Sequence, residues 1–224
     1  MKYSFDFGGL LDYAPTILKG IFITVELIVI GGILGVLLGI ACAWVRTQGP
    51  PWLRPPVAGY VELIRNTPFL IQLFFIFFGL PAAGLSLGEM PAAILTIVIN
   101  LGAYSCEIIR AGIQATPKGQ FEAGASLAMS PFQTFRHVVL VPALQKIWPA
   151  LSSQMVIVML GTSVCSQISV EEITFAANFI QSRTFRAFEV YILATLIYLA
   201  LSVLLRQVLR GVGCLIFPRR RAVR

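Results

Sequence analysis

The sequence predicts an all-α membrane protein of about five transmembrane helices. Its N-terminus lies outside, its C-terminus is cytoplasmic, and a helical cytoplasmic loop sits between spans three and four. Three observations lead there. Of the 224 residues, 57% are apolar and only 12% charged, with a mean hydropathy of +0.84; soluble domains run at about 45–50% and about 25%. One globule of this size could not hide that much apolar surface from water. The apolar residues fall into blocks of roughly bilayer length, and most basic residues fall on one side of the resulting arrangement. A soluble enzyme domain, a disordered chain and a collagen-like repeat are therefore excluded.

The elements follow in order within one transmembrane domain, residues 1–224. Met1 to Thr16 carries Asp6 and Asp12 and has no basic start, so it does not read as a cleavable leader. The first span covers about 18–45, where Glu26 is the only charge between Gly20 and Val45. Pro50-Pro51 and Pro55-Pro56 break the chain. The second span is expected over about 61–80, within a stretch from Asn66 to Gly88 that carries no charge. Pro81, Gly84 and Gly88 make the next turn, and the third span runs over about 90–110. The fourth covers about 143–168 and the fifth about 188–210.

With the N-terminus outside, 13 of the 17 basic residues are cytoplasmic: Arg46, Arg54, Arg65, Arg110, Lys118, Arg136, Lys146, Arg206, Arg210 and four C-terminal arginines. Lys2, Lys19, Arg183 and Arg186 remain outside. The net charge of +7 thus separates into an inner side of +10, with Glu62, Glu107 and Glu122, and an outer side of −3. It is an orientation signal, not the footprint of a nucleic-acid partner. Cys42, Cys106, Cys165 and Cys214 form no C-x-x-C pair, so neither a disulfide framework nor a zinc site is expected. The lone His137 has no second ligand beside it.

The stretch from about Arg110 to Lys146 is too long for a hairpin. Thr116-Pro117 reads as the N-cap and first residue of a short helix, with Phe121, Ala125, Ala128 and Met129 on one apolar face. Ser130-Pro131-Phe132-Gln133 reads as a capping box that starts a further helix. Such a loop either lies on the membrane surface or docks a soluble partner.

Polar groups within spans are costly unless they are paired or face water. Glu62 with Arg65, and Glu107 with Arg110, are three apart and expected to neutralise each other. Gln72, Asn100, Thr162, Ser163, Ser166 and Gln167 either join helices or line a cavity. Gly31, Gly35 and Gly39 make a small-residue stripe expected to pack within the subunit. Glu171, Glu172 and Glu189, with Asp6 and Asp12, could present an acidic outer face. No G-x-x-x-x-G-K-[ST] phosphate loop occurs, so ATP is not cradled by that route.

The run Glu122-Ala123-Gly124-Ala125-Ser126-Leu127-Ala128-Met129-Ser130, followed by Arg136-His137-Val138-Val139-Leu140, resembles the EAA motif of ABC importer permeases. Three further blocks resemble the polar amino-acid branch of that family: Arg65-Asn66-Thr67-Pro68-Phe69, Tyr104-Ser105-Cys106-Glu107-Ile108-Ile109-Arg110-Ala111-Gly112, and Thr162-Ser163 through Glu172. The resemblance runs in register from about Leu18 to Arg210. It implies the type I importer fold, with a coupling-helix region at about 116–136 in which Glu122, Ala123, Gly124, Ala125, Leu127 and Ala128 sit in a groove on a cytoplasmic ATPase dimer. It also implies a second permease chain, identical or homologous, a solute-binding protein outside, and a small polar solute of amino-acid type. The setting is the bacterial inner membrane.

On that reading the chain is not itself catalytic and holds neither metal nor cofactor; ATP and Mg belong to the partner ATPase. The substrate-path candidates are Glu62, Gln72, Asn100, Thr162, Ser163 and Gln167. Four departures from the family pattern stand out. Ala128 replaces its glycine, Gly124 its second alanine, Pro142 follows the usual proline position, and Leu160-Gly161 stands where Lys-Asp or Lys-Asn is common. Without a carboxylate at Gly161, a cationic cargo would need another acid such as Glu62; a neutral polar cargo is equally compatible. Two other classes stay open: an intramembrane enzyme, for which no Ser/His/Asp or His/Glu metal constellation falls at membrane depth, and a secondary transporter or channel subunit driven by an ion gradient. An inverted repeat that would support it is not evident.

Overall fold

The computed structural model describes residue 5 and residues 7–217. Lys2, Asp6 and the four C-terminal arginines lie outside the described residues, so their expected sides are not addressed. Every regular element among the described residues is helical. Helix α1 (Ala14–Gln48) follows a 3₁₀ turn over Gly8–Tyr13 and carries Pro15 in its first turn, where no helical hydrogen bond is lost.

The expected second span is not straight. Helix α2 (Arg54–Arg65) and helix α3 (Phe69–Ala82) meet at 112°. Pro68 disfavours helical backbone at Thr67, and local side chains secure the bend. Asn66 Nδ2 donates to the Glu62 carbonyl at 2.8 Å, and Thr67 Oγ1 donates to the Leu63 carbonyl at 2.9 Å. Gln72 Nε2 donates back to the carbonyls of Ile64 and Thr67 at 2.8 and 3.0 Å. Absence of charge therefore marked a membrane segment, but the proline decided its shape.

Helix α4 (Glu89–Gln114) leads to the short helix α5 (Lys118–Ser126). Helix α6 (Pro131–Ile168) is one long rod. It starts twelve residues before the expected fourth span, because a π turn over Phe135–Val139 carries the loop helix straight into the membrane. A second π turn, Phe75–Gly79, interrupts α3. Each π turn lies just ahead of a proline, Pro142 or Pro81. A proline offers no N–H to the preceding turn, and a widened turn accommodates that loss. Helices α7 (Ile173–Thr184) and α8 (Ala187–Ile216) complete the chain. Among the described residues four helices are long and apolar enough to cross a bilayer, or five spans if the bent pair counts as one.

The centre of the fold is the α1–α4 contact. A Cβ on Gly31 would lie 2.5 Å from Ile97, on Gly35 2.9 Å from Leu101, and on Gly39 2.4 Å from Ser105. The glycines are four apart and so are their partners, so the side chains of Ile97, Leu101 and Ser105 seat directly on the bare backbone of α1. The stripe packs within the subunit, as its spacing predicts.

Near Gly20 of α1 the bundle is fastened by Glu172, which is fully buried. Its carboxylate caps α7 by accepting the Phe175 N–H at 2.9 Å and also accepts a short hydrogen bond from Tyr198 Oη on α8. The Ile173 N–H reaches Thr24 Oγ1 on α1 at 3.4 Å. Burial pushes the Glu172 carboxyl above the usual carboxylate range. Of the acids that could present an acidic outer face, three are engaged in other ways. Glu172 and Glu189 are buried, and Glu171 is ion-paired with Lys19.

Candidate functional site

A cavity of about 360 Å³ opens where the α2–α3 bend meets the middle of α4 and the end of α6. Its lining includes Thr67, Phe69, Asn100, Tyr104, Gln154 and Gly161. The size suits a small ligand. The polar groups on its wall are hydroxyls and amides, and no acidic or basic residue is among them. Asn100 Nδ2 donates to Gln72 Oε1 at 2.9 Å, so Gln72 stands behind Asn100 and holds it to the bend. A Cβ built on Gly161 meets nothing within 4 Å, so a side chain there would have open space.

At the other end of α4 a loop leads into α5, whose Phe121 packs against buried residues of the bundle. Thr116 is not its cap: Pro117 is extended and takes the cap position, while Thr116 Oγ1 donates back to the Gly112 carbonyl at 3.2 Å. The Ser130–Gln133 capping box forms as expected, with bonds of 2.8 and 3.3 Å. Between these landmarks α5 ends in a Schellman motif. The Met129 N–H reaches the Gly124 carbonyl at 3.1 Å and the Ala128 N–H reaches the Ala125 carbonyl at 2.9 Å. Such a motif needs a left-handed residue, and Ala128 occupies it at φ +54°.

Most of the loop is exposed: Glu122, Ala123, Ala125, Leu127 and Ala128 all face outward, Leu127 at 73%. Gly124 does not. It is buried against Thr134, whose methyl would lie 2.5 Å from an added Cβ, so this residue joins α5 to α6. The loop is anchored on both sides. Phe132 meets Trp44 of α1 edge-on with ring centroids 5.6 Å apart, and Lys146 Nζ donates to the Ala115 carbonyl at 3.2 Å.

The profile of one family, described as binding-protein-dependent transport system inner membrane component, matches residues 35–212. The chain belongs to this family.

Such a permease subunit is not itself catalytic; the ATPase of these systems is a separate subunit. The permease is 35% identical over 209 residues to the glutamine transport system permease protein GlnP of Escherichia coli (strain K12), covering 92% of this chain and 95% of that protein. It is 37% identical over 198 residues to the L-cystine transport system permease protein TcyB of Bacillus subtilis (strain 168), covering 88% and 85%. Among solved structures, a chain from the crystal structure of an amino acid ABC transporter with histidines superposes with a TM-score of 0.83. It is 33% identical, with 94% of this chain and 99% of that one covered. An inward-facing structure of the MetNI methionine ABC transporter shares the fold at a TM-score of 0.74 and 18% identity, over 89% and 95% of the two chains.

Of the permease's six substrate-path candidates, only Asn100 lines the cavity, with Gln72 bonded behind it. Thr162 and Ser163 follow Gly161 at the cavity's edge, but their hydroxyls donate to the carbonyls of Met159 and Leu160 at 2.6 and 2.8 Å. Gln167 is exposed on the 3₁₀ end of α6. Glu62 is exposed on α2 and pairs with no base among the described residues. Its expected partner Arg65 turns instead towards Glu107, at 3.8 Å. Glu107 does pair with Arg110, at 2.8 Å, and also binds Arg46 of α1 by a short hydrogen bond. Thr67, Tyr104 and Gln154 are lining residues that sequence reasoning missed. Thr67 lies at the bend, and Tyr104 is four residues beyond Asn100 on the same helix face, a spacing that could have found it.

Proposed function

We propose that this permease carries a polar amino acid with an uncharged side chain through the cavity at the α2–α3 bend, driven by a cytoplasmic ATPase dimer. The observation that carries this reading is the lining itself: amides and hydroxyls, no acid, and open space at Gly161. A cationic side chain would find no carboxylate there, and Glu62 is not on the wall. The relatives that move glutamine and L-cystine support an amino-acid cargo.

The partners are a second permease chain, a solute-binding protein outside, and the ATPase, which holds ATP and Mg; this chain binds no cofactor. The exposed residues Glu122, Ala123 and Ala125 of α5, with Leu127 and Ala128 just beyond its end, dock on the ATPase, and Gly124 keeps that helix on Thr134. Closure of the ATPase dimer moves α5. Its anchors at Trp44 and Ala115 pass the movement to α1, α4 and α6. The N-terminus is outside and the C-terminus inside, which follows the basic-residue asymmetry, in a bacterial inner membrane.

The test is co-purification of the complex followed by uptake into proteoliposomes. Uptake of a neutral polar amino acid that requires ATP and the binding protein and is blocked by vanadate is the expected result. ATP-independent, vanadate-insensitive uptake driven by an ion gradient would overturn it.

A further inference from the structure

Beside the cavity lies a charge imbalance that the coupling role does not use. Arg46, Arg65 and Arg110 converge on a single acid, Glu107. Arg46 Nη1 and Arg110 Nε and Nη2 occupy the carboxylate by hydrogen bonds. Arg65 is left at 3.8 Å, beyond hydrogen-bond reach, and donates no hydrogen bond to any described residue. Its side chain is 42% exposed, and its Cζ lies 5.6 Å from the centroid of the Tyr104 ring. Tyr104 is part of the cavity wall, and so is Thr67, two residues after Arg65. A guanidinium with free donors is thus stacked on the wall of a cavity whose own lining is neutral.

We infer that Arg65, stacked on Tyr104, is a carboxylate-binding station at the mouth of the cavity that receives the α-carboxylate of the permeating amino acid. This rests on the cavity reading proposed above. A guanidinium fork matches a carboxylate with two parallel hydrogen bonds. Glu107 fits the role of a holder: already satisfied by two arginines, it draws Arg65 into place and leaves its donors unspent. The three arginines against one acid keep the site net positive, so it attracts an anionic group. The partial exposure of Arg65 lets the ligand leave.

The experiment is equilibrium binding to the purified permease–ATPase complex. The probes are radiolabelled L-glutamine, L-asparagine, L-serine and L-cystine, each competed by its α-carboxamide, which keeps the side chain and loses the carboxylate. The wild-type complex should prefer the acid over the carboxamide by about tenfold or more, the scale of one charge-assisted contact. Arg65→Gln should bring that preference close to one, and Arg65→Lys, which keeps the charge without the fork, should retain part of it. Gly161→Trp, which fills the cavity, should abolish binding of both forms. If Arg65→Gln and Arg65→Lys keep the full wild-type preference while Gly161→Trp abolishes binding, the carboxylate station is wrong and the cavity stands. If Gly161→Trp binds normally, or no probe binds the wild type, the cavity reading falls and the station falls with it.

Discussion

Ala128→Gly in the loop after α5 should stabilise the protein locally, against the usual cost of adding glycine. Ala128 sits at φ +54° because the Schellman motif closing α5 demands a left-handed residue. A residue with a Cβ gives up about 1–2 kcal/mol in that region. Glycine relieves this but gives back about 0.4–1 kcal/mol through its freer unfolded chain. At the middle of both ranges the net gain is about 0.8 kcal/mol, or roughly a fourfold shift in a local opening equilibrium. The reporters are the N–H groups of Ala128 and Met129, which donate to Ala125 and Gly124 and exchange only when the motif opens. Hydrogen exchange on the reconstituted complex should show their protection, with residue 128 now glycine, rising by that factor. Ala128→Val should lower it, because a branched side chain fits the left-handed region less well. Unchanged or reduced protection in Ala128→Gly would refute the assignment of strain to this residue.

Other substitutions test other joints. Gly39→Val places its Cβ 2.4 Å from Ser105 and 3.2 Å from the Gly102 carbonyl, so α1 and α4 must separate; overpacking of about 1–3 kcal/mol should appear as a lower melting temperature and poor yield. Glu172→Ala strips the Phe175 N–H and the Tyr198 hydroxyl of their acceptor and should cost about 1–3 kcal/mol for each group left unsatisfied, whereas Glu172→Gln keeps an acceptor and should cost less. Because burial raises the Glu172 carboxyl above its unfolded value, its stabilising contribution is full below the unfolded pKa and is lost as pH rises through the folded one. Melting temperature should therefore fall as pH rises above the ordinary carboxylate range, and Glu172→Gln should flatten that slope. Glu122→Lys, on an exposed face, should leave folding intact while abolishing ATPase association or coupled uptake, read by co-purification and vesicle transport.

Much of the architecture was legible because bilayer physics writes long apolar runs. Helices Ala14–Gln48, Glu89–Gln114 and Ala187–Ile216 run over the stretches where spans one, three and five are expected, and the spacing of Gly31, Gly35 and Gly39 marks the face that meets Ile97, Leu101 and Ser105. What was not legible was shape within a hydrophobic run. Nothing in the composition of 61–80 separates a straight helix from one bent at Thr67-Pro68, although the proline was there to see. The cavity was partly hidden for the same reason. Asn100 stood out as a polar residue in a span, but Thr67, Tyr104 and Gln154 share a wall only once the bend brings three helices together. Arg65 was misassigned because spacing favoured Glu62, while the fold offered Glu107 on another helix. Ala128 marked a departure from the family glycine, and the left-handed backbone there shows what that glycine supplies.

In the proposed transport cycle the cargo passes through the cavity beside Gly161 while the loop around Glu122 transmits work from the ATPase. The most direct test is ATP-dependent uptake into proteoliposomes by the complete complex carrying Gly161→Trp, measured together with its assembly and its ATPase activity. A Trp side chain there enters open space without clashing at its Cβ. Normal assembly with ATPase activity retained and uptake abolished is the predicted result; uptake at the wild-type rate would contradict the account.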